Sequence, residues 1–283
     1  MYKTTHLHKI PNSFELYSRI ATSVIKKPKT FLPNLEVRID NLSISEKDTN
    51  AYNRLLGFGL TNHIPSTYLF VKSFNLKTYL MSSMEMPFPM LGMVHFANKI
   101  KQIEPLNYNE KFSIICRTGN LIAHSKGQAF EINTSVEING KSIWEETMVS
   151  LCKGKEGIGE VLEWDIQDIA DKYEKRTWNF EDNLGLKYAQ ASGDFNPIHL
   201  HPISAQLFGF KRHIIHGMYT AGKVLAQFSK VWNQPHEFAT SFKTPIFLPS
   251  AVVFRNSEVE NNITLDVVDK SETQPHLKGY IKY

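Results

Sequence analysis

Asp194 and His199 are the residues whose types and spacing most directly suggest chemistry. They lie in the string Y-A-Q-A-S-G-D-F-N-P-I-H-L-H, from Tyr188 to His201. Ser192-Gly193 permits a tight turn just before the carboxylate, because glycine accepts backbone angles closed to other residues. Pro197 keeps Asn196 out of helical geometry, and an Asn so placed ties a loop through its side-chain amide. The carboxylate and the imidazole are therefore expected on one rigid, irregular element, converging on one spot. Such a pair can share a water, one group taking its proton while the other returns a proton to substrate, which is general acid–base catalysis. Taken singly, Asp194 would cap a following helix and His199 would be a hydrogen-bonded core histidine. The complete string favours the catalytic reading.

A second feature follows at His216-Gly217-Met218, the expected start of a long helix. The first N–H groups of a helix lack intrahelical partners and stand at the positive end of its dipole. With no side chain at Gly217, a ligand oxygen can come close, as a thioester carbonyl must while enolate charge develops on it. His199, His201, His213 and His216 are near neighbours in sequence, so metal binding has to be weighed. No Glu-flanked helical spacing and no nearby cysteine accompany them, and neither metal nor cofactor is expected. His213 is expected to be exposed beside Lys211 and Arg212. Lys211, Arg212 and Lys243 are candidates for contact with a ligand's phosphates, against the simpler reading of a solvated basic edge. Phe70, Phe74, Tyr79 and Phe88 would line an apolar slot or, more simply, belong to the core.

The elements that must hold these residues fall into two similar halves. In the first, Ser66 to Ser83 carries apolar residues at roughly helical spacing after Pro65. Strands are expected at Leu91 to Ile103, Lys111 to Thr118, Ser125 to Ile138 and Ser142 to Cys152, with a two-residue hairpin at Asn139-Gly140. The glycine-rich, charged stretch that begins at Lys153 reads as a linker. In the second half a strand (Arg176 to Phe180) leads to a helix (Glu181 to Ala191) and then the loop Ser192 to Pro197. A short helix (Ile203 to Phe208) and a longer one (His216 to Trp232) follow. Strands are then expected at Glu237 to Thr244, Ala251 to Val259, Asn262 to Val268 and His276 to Lys282. Two copies of a helix followed by antiparallel strands make an α+β chain with two layers of one kind.

The 283 residues suffice for two ordinary domains, with 42% hydrophobic and 21% charged residues. A net charge of +4 speaks against nucleic acid as the main partner. Cys116 and Cys152 form no metal or redox motif and read as reduced, core or half-buried thiols. No apolar run approaches the roughly 18 residues of a membrane helix. Residues 1–30 are basic (Lys3, Lys9, Arg19, Lys26, Lys27 and Lys29 against Glu15), but Pro11, Pro28 and Pro33 interrupt an amphipathic transit helix. A cytoplasmic location is expected.

The segment from Tyr188 onward resembles the hydratase-2 motif of the MaoC-like dehydratase family. Ser192-Gly193-Asp194, Asn196-Pro197-Ile198-His199, Ala205, Phe208-Gly209-Phe210 and Ile215-His216-Gly217-Met218 follow its pattern. Pro87 to His95 resembles, less specifically, the N-terminal half of bacterial double-hotdog 3-hydroxyacyl-thioester dehydratases. The resemblance implies a double hotdog, in which each half is a long helix wrapped by an antiparallel sheet. It assigns residues 1–153 to a non-catalytic hotdog, 154–175 to the linker and 176–283 to the catalytic hotdog. It implies reversible syn hydration of trans-2-enoyl thioesters of coenzyme A or acyl carrier protein to (R)-3-hydroxyacyl thioesters. Asp194 and His199 would activate the water, the Gly217 N–H would polarise the carbonyl, and Asn196 would shape the loop. Under the resemblance, the phosphates met by Lys211, Arg212 and Lys243 would be those of coenzyme A, and the slot lined by Phe70, Phe74, Tyr79 and Phe88 would be an acyl tunnel. His201 stands where the family often has Asp or Ser. It would either perturb the pair or face solvent.

A second reading is a hotdog acyl-thioester-binding module without turnover, against which the intact pair speaks. A thioesterase would need a carboxylate on the long helix, and Met218 to Trp232 has none. The chain is expected to act as a monomer or a homodimer, with no span of a membrane.

Overall fold

The computed structural model describes residues 1–23, 31–154 and 156–283. Lys26, Lys27, Pro28 and Lys29 of the basic N-terminal stretch lie outside the described residues. The first half runs β1 (Lys3–Leu7), α1 (Ser13–Thr22), β2 (Leu35–Leu42), α2 (Glu46–Leu56), α3 (Ser66–Ser82), β3 (Val94–Gln102), β4 (Phe112–Ile122), β5 (Gly127–Ile138) and β6 (Lys141–Lys153). The second runs β7 (Glu174–Phe180), α4 (Leu184–Ser192), α5 (Pro202–Gln206), α6 (Gly217–Leu225), β8 (His236–Phe242), β9 (Ser250–Val259), β10 (Asn262–Asp269) and β11 (Pro275–Lys282).

All the strands join one 11-stranded sheet in the order β1-β2-β4-β5-β6-β3-β8-β11-β10-β9-β7. Without β1 the order is palindromic. β2, β4, β5, β6 and β3 of the first half are mirrored by β7, β9, β10, β11 and β8 of the second. The halves meet along the antiparallel pair β3–β8, from Ala97 opposite Ser241 to Gln102 opposite His236. The suspected architectural repeat is thus present, and the fold is the α+β double hotdog. The β5–β6 turn is the expected hairpin, with Asn139 at φ 51° and Gly140 at φ 80°, as a two-residue turn with both central residues left-handed requires.

The helices cover one face of the sheet. α3 packs on β2, β3, β4 and β5 and also touches α6, while α2 packs on α4. Tyr52 of α2 sits fully buried where the helices meet. It donates to Thr67 Oγ1 at 2.9 Å and lies 6.1 Å from the Tyr188 ring. Phe70 and Phe88 are buried in this core, with Phe74 and Tyr79 packed against it. Each large apolar side chain so buried contributes about 1.5–3 kcal/mol. Cys116 is buried, Cys152 is half-buried, and both are free thiols. None of the described helices is long and apolar enough to cross a membrane.

One expectation changes. The long helix stops at Leu225 rather than Trp232. Phe228, at φ −117° and ψ 71°, leaves helical geometry, one 3-10 turn follows at Ser229–Val231, and the Trp232 indole donates to the Leu225 carbonyl at 3.1 Å. The apolar spacing continued past 225 because Phe228 and Trp232 still pack on the core. The expected linker, in turn, is tied to the first half by backbone bonds. Glu160 N–H donates to the Leu121 carbonyl at 3.0 Å, and Ala123 N–H donates to the Glu160 carbonyl at 2.8 Å. A Cβ at Gly159 would lie 2.1 Å from the Leu121 carbonyl oxygen, so glycine is there to let two backbones touch.

Candidate active site

Helix α4 ends at Ser192, where Gly193 takes the left-handed conformation (φ 78°) and its N–H donates to the Ala189 carbonyl. This stop turns Asp194 back toward the helix ends. The Ser192 hydroxyl donates to the Tyr188 carbonyl at 2.8 Å and accepts the Asp194 N–H at 3.2 Å. Asp194 Oδ1 accepts the Asn196 N–H at 3.2 Å. Asn196 caps the single 3-10 turn Pro197–His199, its side-chain oxygen accepting from Ile198 N–H. The expected tie by Asn196 is therefore present.

His199 is fixed from both sides. One ring nitrogen, Nδ1, lies 2.8 Å from the Ile214 carbonyl, and Ile214 N–H donates back to the Ile198 carbonyl at 3.1 Å. With Nδ1–H donating to that carbonyl, Nε2 carries the lone pair, which is the form a base requires. The His199 ring stacks on His216, with centroids 3.7 Å apart and planes 25° apart. His216 Nε2 lies 3.0 Å from the Asp194 carbonyl oxygen and 3.8 Å from its Oδ2. The polar atoms of Asp194, His199 and His216 all fall within 4.8 Å of one another. Sequence reasoning placed His216 only at a helix start. Its position as the cap residue of α6, directly before Gly217, was the available signal.

Burial pushes the His199 imidazole down to about 3, and the neighbouring His216 adds to the effect, while Asp194 opposes it. Burial likewise takes His216 to about 3. Burial raises Asp194, against the opposing pull of His199 and of the Asn196 N–H. Its side chain keeps 23% exposure, whereas His199 is 8% exposed. Both imidazoles are thus neutral near pH 7. On α1, the Tyr17 hydroxyl is raised, first by burial and then by the charge of Asp194.

Gly217 is the first residue of α6, so its N–H belongs to the turn that has no intrahelical acceptor. A Cβ there would lie 2.9–3.2 Å from the Phe242 ring, so glycine also lets the helix start seat on β8.

Asp194, His199 and His216 also make a conceivable metal donor set. The fit is poor. Lone pairs lie in the ring planes, and two stacked, nearly parallel rings aim them along nearly parallel lines, not at one point about 2.0–2.1 Å away.

The remaining candidates stand apart from the pair. Lys211, Arg212 and Lys243 are exposed, and Arg212 lies 5.9 Å from the Phe247 ring centre. Among the described residues no hydrogen bond or ion pair joins any of the three to Asp194 or His199. His201 is exposed and caps α5, its Nδ1 accepting the Ile203 N–H at 3.2 Å, so it faces solvent. His213 is not exposed as expected. It is 1% accessible, with Nε2 2.7 Å from the Asp182 carbonyl, because the loop folds back so that Leu248 N–H can reach the His213 carbonyl.

The family model described as "MaoC like domain" matches residues 168–278. These residues are similar to that domain over 111 of the 283 positions. Over nearly its whole length the chain is similar to 3-hydroxyacyl-thioester dehydratase X of Mycobacterium tuberculosis. The two are 27% identical over 252 residues, covering 89% of this chain and 90% of that protein. The crystal structure of the Mycobacterium tuberculosis protein HtdX superposes with a TM-score of 0.75 at 26% identity, covering 87% of this chain and 98% of that one. A MaoC-like dehydratase from Phytophthora capsici shares the fold, with a TM-score of 0.72 at 16% identity over 90% of this chain and 96% of that one. The matched stretch takes in β7 through the first half of β11 and includes Asp194, His199, His216 and Gly217.

Proposed function

We propose that the chain is a hydro-lyase that interconverts trans-2-enoyl and (R)-3-hydroxyacyl thioesters, with Asp194 and His199 as its acid–base pair. One observation carries this reading. A carboxylate and a neutral imidazole, each fixed by backbone hydrogen bonds, lie together beside the start of a helix whose first N–H belongs to Gly217. In hydration the thioester oxygen is held by the Gly217 N–H. The pair orients one water, whose oxygen bonds to C3. A proton of that water passes to the pair, and a proton returns from the pair to C2 on the same face. The enolate charge that builds between the two events falls on the thioester oxygen. Dehydration is the reverse. Nothing in these steps needs a cofactor. The similarity to a protein named for 3-hydroxyacyl-thioester dehydration supports the reaction class.

Residues 1–153 serve in this reading as a non-catalytic hotdog, 154–175 as the connection and 176–283 as the catalytic hotdog. The carrier is coenzyme A or acyl carrier protein, with Lys211, Arg212 and Lys243 as the basic side chains available to phosphates. The palindromic sheet supplies within one chain the pairing that single hotdogs reach by dimerising, so a monomer suffices and a homodimer remains compatible. The place of work is the cytoplasm. Loss of enoyl absorbance on mixing with trans-2-enoyl-CoA of four to sixteen carbons tests the reading. Turnover that falls about 10²–10⁴-fold in both Asp194→Asn and His199→Ala is expected. Inert wild-type protein on coenzyme A and on carrier-protein esters would sink the reading.

A further inference from the structure

The seam between the halves stops near the site. Its last residue pair on that side is Ala97 with Ser241, and β3 is bulged between His95 and Ala97. His95 and Phe242 flank the end of the seam from opposite strands, their rings meeting edge to face at 5.0 Å. Phe242 is the ring that lies against Gly217. On its other side His95 stacks on Phe70 of α3, at 5.6 Å and 3°, and Phe74 follows at 5.7 Å. An aromatic wall therefore leads from the oxyanion donor into the N-terminal half.

His95 is the polar member of that wall. It is partly exposed, yet its Nε2 is buried and makes no hydrogen bond to protein. The ring is otherwise engaged with the Ala97 backbone. Buried polar atoms without a partner are uncommon and call for an explanation. Burial, together with the Lys77 ammonium, takes His95 down to about 3. The ring is thus neutral, with one nitrogen left to pair.

We infer that His95 is a specificity-determining residue of the acyl site, whose unpartnered Nε2 selects acyl chains carrying a hydroxyl beyond the reacting carbons. The inference rests on the thioester reading above for the class of substrate. A plain alkyl chain along the wall leaves Nε2 unpaired, whereas a hydroxyl in register pairs with it. A site built to pair a hydroxyl discriminates strongly against the chain lacking one.

Calorimetric titration with saturated acyl-CoA esters, which cannot react at C2–C3, tests this without turnover. Plain chains of four to sixteen carbons are compared with chains hydroxylated at successive positions from C5. Wild-type protein should bind one hydroxylated isomer about tenfold or more tightly than its plain counterpart. His95→Phe should erase that preference, and His95→Gln should restore part of it. Butyryl-CoA, too short to pass Phe242, should be insensitive to both substitutions. Equal affinity of the wild type for plain and hydroxylated chains overturns the inference. So does an unchanged preference in His95→Phe, or a loss on butyryl-CoA as large as on long chains, which would make His95 a packing residue. Absent turnover with the binding preference intact would remove the hydro-lyase reading and leave His95 in place.

Discussion

The two halves build the same layers from the same order of elements, but the buried polar cluster beside the helices differs from one half to the other. In the N-terminal half α2 passes to α3 through residues 57–65, and α3 runs unbroken over 17 residues. Its buried charge is Lys77, fully enclosed, 2.5 Å from Glu146 Oε2, with Asn98 donating to the other carboxylate oxygen at 2.6 Å. In the C-terminal half the corresponding connection spans residues 193–216, and α6 has only nine residues. The added chain carries Asp194, His199 and His216. There His216 Nδ1 and His213 Nδ1 are buried without protein partners. The first arrangement closes every valence on the carboxylate and rigidifies a core. The second shortens a helix for a longer connection clamped by backbone bonds, and in the reading proposed above that connection carries the reacting groups.

Exchange of roles between the two clusters is the sharpest way to break this contrast. Asp194→Asn should remove nearly all turnover while shifting the urea midpoint little, because its side chain is already partly exposed. Glu146→Leu should do the reverse. It strands the Lys77 ammonium in the core, at a loss of about 3–5 kcal/mol, while soluble protein that survives keeps its kcat. The double variant Lys77→Met/Glu146→Leu should recover most of that stability. A Glu146→Leu protein that unfolds normally in urea but fails to turn over would erase the distinction.

Gly217 belongs to both roles. Gly217→Ala drives a methyl into the Phe242 ring, a crowding worth about 1–3 kcal/mol, and also moves the helix start that holds the thioester oxygen in the proposed reaction. Adding Phe242→Leu should return the stability without returning kcat. Recovery of both together would mean that packing alone requires the glycine.

The pH dependence separates the halves more gently. His199 and His216 have folded values near 3, below the ordinary histidine value of about 6.5. Below that value the unfolded chain binds protons that the folded chain refuses. Their contribution is therefore complete above about pH 6.5 and is lost as the pH falls toward 3. His95 adds a similar loss from the first half. His199→Asn should reduce the slope of stability against pH by up to one proton, about 1.4 kcal/mol per unit. An unchanged slope between pH 6 and 4 would show that His199 is protonated in the folded protein.

Much of this was legible in the residues. The string from Ser192 to His199 encodes its own geometry, since a left-handed glycine, an Asn turn and a proline each act over a few bonds. The strands and the Asn139-Gly140 hairpin were legible for the same reason. What escaped depends on distant partners. His213 is buried because Leu248 and Asp182 reach it, and α6 ends early because Trp232 takes the Leu225 carbonyl. No helix or strand was read in the first 65 residues, although α2 carries the local signs of a helix, with the capping box Ser45–Asp48 and the left-handed Gly57 at its end.

Those two caps give the finest test of the contrast. Ser45 and Asn196 each hold the start of a helical turn, Ser45 by donating its hydroxyl and its N–H to the Asp48 carboxylate and Asn196 by accepting the Ile198 N–H on its side-chain oxygen, and loss of such a cap is worth about 1 kcal/mol. Ser45→Ala should cost that much stability and leave kcat where it was, because the α2 start bears no reacting group. Asn196→Ala likewise removes a capping bond, but the turn it caps ends at His199 and its own N–H orders Asp194. The same local loss should therefore appear as about a tenfold fall in kcat with little change in KM, since the pair is displaced from the transition state while the rest of the acyl site is untouched. If the two variants lose equal stability and equal kcat, caps in both halves act only through global stability, and the special standing of the 193–216 connection falls with them.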